Sequence, residues 1–583
     1  MPVKPLDDYK TFPKMTHWFN PVLLAKLLNN VASSSMFGQY ADRRLMVAAL
    51  DTVPPEEHMR RAQELKDELD PDKSGEVWID FVADLGDGLD STLAVASLLA
   101  RKELQLGDLK LPRGQTLIFG GDQVYPAATA EAYRNQLRQP YAWAFPDHDR
   151  KSDGGVPVYA IPGNHDWYDG LVHFLAFFCR EKCWHIGGWR TRQRRSYFAL
   201  QLTDDWWLWA ADIQLADNLD QPQADYFAVI AKRMPAKAKI ILCTAEPGWL
   251  YTDTANKSWG IMGFVIRIAM DADKDFQIPL LISGDTHHYS RYVAADGTQF
   301  ITSGGGGAFL HPTHQLEPTV KITWSGERKL ELAKIQPAKE GEPPQDACYP
   351  SKRTSWWLTW RNLWFAATNW DFSLLMGIVY WLAGIGITFR DQWDSYIILT
   401  LVFGAAIMGY TINQEKSRRT SVLITSALHT LAHVAAVIWF ARFFAAWNEA
   451  HPVLEGEWYS VWVWLLTLLV QMGVVGFVLG STIFGLNMLF TSLCFRMNRN
   501  DSFSSFRLGG YNNFLRIHIK GETAEVYAIG LKDVPHRDDW IDNTKSKLGP
   551  DSRRNPDEPV FVPTKPLEPH LIEKVLTSAT TPL

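Results

Sequence analysis

Apolar residues follow three rhythms along this chain. Up to about Lys73 they recur at helical spacing. NPVLLAKLLNNVASS carries Leu, Val and Ala behind Asn20, a suitable N-cap. PEEHMRRAQELKDELD opens on Pro in its first turn, with acids near its start. From VWIDFVADLGD onward, short apolar runs alternate with helical stretches such as GLDSTLAVASLLARKEL, a βα alternation. From about Phe372 to Phe495 the chain is almost continuously apolar. Period-two alternation then returns in Phe514–Ile519 and Ala524–Ile529 around Gly521-Glu522, which predicts a β-hairpin.

The apolar region divides into about four spans: Phe372–Phe389, Tyr396–Ile412, Ser421–Ala446, and one from near Ser460 past Gly480. Each reaches the roughly 17–25 residues that cross a bilayer. The remainder, Ser481–Phe495, reads as a helix extension or an interfacial segment, with a fifth crossing as the alternative. Trp356, Trp357, Trp360 and Trp364 before the first span predict an interfacial helix. Lys352, Arg353 and Arg361 precede the spans; Lys416, Arg418 and Arg419 lie in the second loop; Arg496, Arg499 and Arg507 follow the last. The first loop has Arg390 with Asp391 and Asp394, and NEAHPVLEGEW has no Lys or Arg. This alternation puts both ends of the chain, and whatever they carry, in the cytoplasm of a multi-pass membrane protein. His429 and His433, at i and i+4 in the third span, could hold a metal or haem or hydrogen-bond inside the bundle; the second reading is favoured because no partner ligand is visible.

Composition changes this picture little. The mean hydropathy of −0.15 averages two unlike regions. The net charge of −6 argues against a nucleic-acid partner. Five cysteines, an odd and scattered set, do not form a disulfide framework. MPVKPLDDYKTFPK is charged and has no apolar core, so no secretory signal is expected.

The chemistry lies in five motifs, each at the end of an apolar run: VADLGDG (Val82–Gly88), IFGGDQVYP (Ile118–Pro126), AIPGNHDWYDG (Ala160–Gly170), ILCTAEPGW (Ile241–Trp249) and LISGDTHHYSR (Leu281–Arg291). Asp, Asn, His and Tyr are metal donors, and strand ends in open α/β sheets aim side chains at one crevice. Five such motifs in series point to a two-metal phosphoesterase site.

The order DxG, GDxxY, GNHD, a strand ending near HxP, and GHxHxY resembles the metallophosphoesterase (calcineurin-like) superfamily, nearest its purple acid phosphatase branch, from about Val77 to Phe309. The resemblance implies an αββα two-sheet sandwich and two metal ions, Fe or Mn at the first site and Mn or Mg at the second. Asp84, Tyr125 and His287 would bind the first metal, Asp122 would bridge, and Asn164 would bind the second. His165 would lie near the leaving-group oxygen, with Asp166 orienting its ring. ITSGGGGAFLH (Ile301–His311) takes the place of the family's Gly-rich turn after the fifth motif, and the hairpin after Phe495 resembles its closing strand pair. The membrane region would then be an insertion: a helical N-terminal segment (1–73), a phosphoesterase domain (74–345), the membrane region (352–495), the closing hairpin (505–548) and an extended tail (549–583).

Two positions depart from the family. Ala245-Glu246-Pro247 stands where HxP is expected, and Asp285 replaces the first histidine of GHxH. Asp122, Asn164, Asp285 and Glu246 would give the second metal an all-oxygen ligand set, which favours Mn²⁺, Mg²⁺ or Ca²⁺ over Zn²⁺. The other reading is a weak or lost second metal. His288 and Arg195 are candidate substrate-binding residues. Arg195 belongs to a run with Arg190, Arg192 and Arg194 that could guide a phosphate, face anionic lipid or form a solvated strand edge.

The expected function is a membrane-anchored, metal-dependent phosphoesterase that cleaves a phosphate ester or pyrophosphate with a metal-activated hydroxide. Its substrate would be a phosphorylated small molecule or a lipid-linked one; its other partners are the bilayer and possible further copies of itself. The rival is a catalytically degenerate membrane sensor or scaffold that binds a phosphorylated ligand without turnover.

Overall fold

The computed structural model describes residues 12, 14–27, 44–45, 53–70, 74–146, 155–214, 219–252, 257–336, 343–414, 418–451, 459–544, 547–548, 553–555 and 558–577. Much of the N-terminal segment read as helical lies outside them. Within them, 21–27 is helical and Asn20 caps it, its Oδ1 accepting from the backbone N–H of Val22 and Leu23 at 3.0 Å each. Pro55–Leu69 is the second expected helix.

Two sheets face each other. One has eight strands in the order Pro569–Thr577, Thr523–Leu531, Asn512–Lys520, Glu76–Val82, Thr116–Phe119, Val156–Ala160, Trp189–Thr191, His185–Ile186. In the other, Phe198–Gln201, Trp206–Ala211, Lys239–Thr244, Gln277–Ser283, Gln299–Ser303 and Tyr289–Ala294 lie side by side, followed by Glu327–Leu332 and Thr319–Thr323, with Cys348–Tyr349 pairing Tyr289–Ala294. Alternation decides which side chains meet between them. Val77, Ile79 and Phe81 from the first sheet pack with Ile241, Cys243, Leu280, Ile282 and Ile301 from the second. Val82 and Trp78 turn outward to a layer that includes the helix Leu89–Leu99. Helices Gln221–Arg233 and Ser258–Met270 cover the second sheet. This is the expected αββα sandwich.

The four long apolar helices interrupt the sandwich. They are Trp370–Phe389, Trp393–Ile412, Arg419–Ala450 and Ser460–Phe495. The fourth is continuous through a π-helical turn at Gly476–Gly480, so Ser481–Phe495 extends it and is not a fifth crossing. After it the chain returns to the first sheet. Asn512–Lys520 pairs antiparallel with Glu76–Val82, the first strand of the sandwich. Directly opposed in that pair, Arg516 and Asp80 form a buried two-pronged ion pair (Nε–Oδ1 2.7 Å, Nη2–Oδ2 2.9 Å). It locks strands on either side of the insertion. Part of the segment expected as an extended tail supplies an edge strand, because Pro569–Thr577 pairs along Thr523–Leu531.

Before the first apolar helix, Lys352–Thr359 and the 3-10 turn Trp360–Trp364 are amphipathic in reverse. Ser355, Thr359 and Asn362 are buried, whereas Trp357 is 60% and Trp364 70% exposed. An element that hides its hydroxyls and shows its tryptophans suits a bilayer interface. In the bundle, His433 Nε2 lies 3.0 Å from His429 Nε2, and its Nδ1 lies 2.7 Å from the Tyr380 hydroxyl. The pair is hydrogen-bonded inside the bundle, as favoured from the sequence.

Candidate metal centre

Three carboxylates arrive from three strand ends. Asp84 follows Glu76–Val82, Asp122 follows Thr116–Phe119, and Asp285 follows Gln277–Ser283. All three have left-handed backbone, at φ 58°, 46° and 67°. That region is costly for a residue with a Cβ and concentrates at functional sites. It swings each carboxylate out of its strand and into a shared space. Asp285 N–H donates to Asp84 Oδ1 (3.1 Å), and His165 N–H donates to Asp122 Oδ1 (2.9 Å).

Tyr125 stands among them. Its hydroxyl is 3.2 Å from Asp122 Oδ2, 3.5 Å from Asp84 Oδ1 and 3.0 Å from His287 Nε2. His287 Nδ1 is 2.7 Å from the Phe309 carbonyl, which can only accept, so Nδ1 carries the proton. Nε2 therefore presents its lone pair to the cluster, the tautomer a metal ligand needs. The Gly-rich run makes the approach possible. A Cβ on Gly304 would stand 2.1 Å from Asp84 Oδ2, and one on Gly163 would stand 2.1 Å from Asp122 Oδ1.

The donors fit a cation. Burial raises the Asp84 carboxyl well above its usual range, and the Asp122 and Asp285 charges raise it further. Burial, with the Asp285 charge, pushes Asp122 up to about 8. Asp84 Oδ2 is buried with no hydrogen-bond partner among the described residues. Buried anions without a counter-charge are costly, and a divalent ion relieves that cost. Among the described residues no three His, Cys, Asp or Glu side chains close into a ready cage.

The second half of the centre is looser. Asn164 Nδ2 donates to Tyr168 Oη (2.9 Å). Asp285 Oδ2 accepts from Tyr251 Oη (2.8 Å). Glu246 Oε2 accepts from Gln214 Nε2 at 3.4 Å. His165 Nδ1 lies 2.7 Å from the Pro126 carbonyl, so that carbonyl fixes the ring. This corrects the role expected for Asp166. Its carboxylate accepts from Gly163 N (3.0 Å), Gln123 N (3.2 Å) and the Tyr133 hydroxyl, joining the GNHD and GDQVY loops. Partial enclosure lowers the His165 pKa to about 4.

The cluster opens into a cleft of about 1130 Å³ lined by Asp122, Asn164, His165, Asp285, His287 and His288. His288 is buried there with neither ring nitrogen hydrogen-bonded among the described residues. Arg195 is not in this cleft. Its Nη1 donates to Tyr197 Oη (2.9 Å), and its guanidinium lies over the Tyr197 and Tyr226 rings. It lines a separate 410 Å³ pocket with Arg190, Arg192 and Arg194, so its candidacy at the centre is withdrawn.

Other cleft residues escaped the sequence reading: Trp18, Tyr251, His311 and Arg499. Trp18 Nε1 donates to Asp87 Oδ2 (3.3 Å), and its ring packs edgewise on His165 and Phe309. His311 stacks on His287 at 4.0 Å. Only His311 carried a signal, at the end of the glycine run; the others arrive from distant or unpatterned sequence.

Residues 77–289 match the family model for calcineurin-like phosphoesterases. Members of that family typically bind two metal ions and hydrolyse phosphoesters. No curated protein matches the chain. Among solved structures, "GAP50 the anchor in the inner membrane complex of Plasmodium" is 14% identical with a TM-score of 0.31, covering 48% of this chain and 90% of that one.

Proposed function

We propose that this protein is a membrane-anchored, metal-dependent phosphoesterase that hydrolyses a phosphate ester or pyrophosphate. The observation that carries the reading is the gathering of three left-handed strand-end carboxylates, two of which, Asp84 and Asp122, meet the Tyr125 hydroxyl beside the lone pair of His287, while Asp285 N–H donates to Asp84. Asp84, Asp122, Tyr125 and His287 would hold the first metal. Asp122, Asn164 and Asp285 would hold the second, with Glu246 as a further donor. Metals there would supply Lewis-acid polarisation of the phosphoryl group and compensate its charge.

The chain's own residues do the rest. Phe309 and Pro126 carbonyls fix the His287 and His165 tautomers. Asp166 holds the two loops that carry Asp122 and Asn164. With Nδ1–H committed to Pro126, a neutral His165 has its lone pair at Nε2. It accepts a proton there, and donates to a leaving oxygen only as the imidazolium, a form that a phosphate dianion in the cleft favours. His288 is a candidate contact for the phosphate.

Orientation follows from charge. Arg418 Nη1 donates to the Phe495 carbonyl (2.5 Å) and its Nη2 lies 3.8 Å from Glu317, so the start of the third helix and the end of the fourth lie together on the side of the sandwich. That is the side expected in the cytoplasm.

A second reading has its own support. The histidine missing at Ala245, and the ties of Asn164 and Glu246 to neighbouring side chains, favour a centre that binds a phosphorylated ligand without turnover. Metal analysis with an aryl-phosphate assay on purified full-length protein separates the two. Two metals with phosphate release support the enzyme; metal-dependent ligand binding without release supports the sensor.

A further inference from the structure

The cleft and the bilayer-facing surface share one short segment. His311, Pro312, Gln315 and Leu316 line the cleft. Between them, Thr313 N–H donates to Ser355 Oγ (3.0 Å), and His314 Nδ1 lies 2.9 Å from the same oxygen. Ser355 is on the buried face of the tryptophan-bearing helix, one residue from Trp356. Gln315 Nε2 donates to Ser492 Oγ (2.9 Å) and to the Met497 carbonyl (3.1 Å), at the end of the fourth apolar helix. One wall of the cleft is therefore fastened to the interfacial helix and to a helix end. A few residues of chain separate the metal centre from the tryptophan belt.

The apolar helices also contribute to the cleft directly. Arg418, just before the third, and Arg499 and Asn500, just after the fourth, line it. Glu317 engages Arg496 at 2.5 Å and Arg418 at 3.8 Å, which leaves Arg499 as a further cation at that end of the cleft. Leu27, Leu250, Leu316 and Val320 add apolar surface to the lining. A cleft with carboxylates and histidines at its base, arginines that flank the apolar helices on its wall and aliphatic side chains beside them matches an amphiphile, not a freely diffusing phosphate.

We propose that the substrate is a lipid phosphate, presented from the membrane with its phosphate in the cleft and its hydrocarbon at the helix ends. The proposal rests on the phosphoesterase reading. For a monophosphate, water adds to phosphorus, the phosphorus–oxygen bond to the lipid breaks, and the lipid leaves as the alcohol with inorganic phosphate. For a diphosphate, water adds to the terminal phosphorus, the bond from that phosphorus to the bridging oxygen breaks, and the lipid leaves as the monophosphate with inorganic phosphate.

The test uses the full chain in detergent micelles with Mn²⁺. Two matched pairs are compared: dioleoyl phosphatidic acid with glycerol 3-phosphate, and farnesyl diphosphate with dimethylallyl diphosphate. We expect phosphate release from at least one lipid member with a kcat/KM at least about 100-fold above its soluble partner. That rate should fall as the lipid is diluted in the micelle at constant bulk concentration. Arg499→Ala should raise KM for that lipid about tenfold, with Arg499→Lys recovering most of it. Equal efficiency on lipid and soluble partners, or indifference to micellar dilution, would overturn the lipid assignment and leave the phosphoesterase reading standing. No release from any member by metal-loaded protein would overturn both.

Discussion

The two halves of the candidate centre are built differently. In the half formed by Asp84, Tyr125 and His287, side chains are deeply buried and aimed at one another, and His287 is fixed from behind by a carbonyl. In the half formed by Asn164, Asp285 and Glu246, each residue is only half-buried and engages a neighbouring Tyr or Gln. The first half is preorganised, and a cation needs only to enter. The second must exchange existing hydrogen bonds for metal bonds. Two sites sharing Asp122 should therefore differ in affinity, and the departures from the family pattern all fall on the weaker one.

The comparison can be broken most severely at the shared residue. Asp122→Ala removes a donor from both halves. Activity should fall by more than the roughly 10–100-fold that outer partners of a metal site are worth, and both metals should be lost by elemental analysis. Full occupancy in that variant would sink the assignment.

A purely structural lesion provides the control. Arg516→Ala strands Asp80 as a buried, unpaired carboxylate, which should cost about 3–5 kcal/mol of stability. Because Arg516 is in neither half, both metal affinities should fall together in melting and binding experiments. A selective loss at one site would mean that the strand pair around the insertion is coupled to one half only.

Next come the halves separately. His287→Ala should abolish the tighter binding step in a Mn²⁺ titration, whereas Asp285→Ala should remove the weaker step and spare the tight one. The reverse ranking would contradict the picture of one rigid and one adaptable half. The smallest effect is expected from Tyr251→Phe. Freed from the tyrosine hydroxyl, Asp285 should bind the second metal with an affinity changed by about tenfold or less, with the first step unmoved.

What the sequence revealed followed how local each signal was. A strand-end Asp beside Gly is visible over a few residues, so the gathering of Asp84, Asp122 and Asp285 could be anticipated. The hairpin after Phe495 was visible for the same reason, and pairing Ile517 with Ile79 needed only its alternation to match the opening strand. Arg195 misled because a run of arginines carries no direction. The neighbouring strand Trp189–Thr191 lies toward the far edge of the first sheet, where Arg195 meets Tyr197 and Tyr226. Trp18, Tyr251 and Arg499 could not be placed at the cleft from the sequence, since only the tertiary fold brings them there. Asp166 misled differently. Its motif position suggested His165 as partner, but backbone N–H groups of two loops and the Tyr133 hydroxyl take its oxygens.

The central claim is that this centre turns over phosphoesters with metals held by these residues. The most direct measurement is metal content and aryl-phosphate hydrolysis on the same preparation of full-length protein, before and after chelation and after Mn²⁺ is restored. The account predicts two metal ions per chain, hydrolysis that disappears with the chelator, and recovery in two steps as the tight and weak sites refill. Metal-loaded protein that releases no phosphate, or hydrolysis that survives complete metal removal, would contradict it.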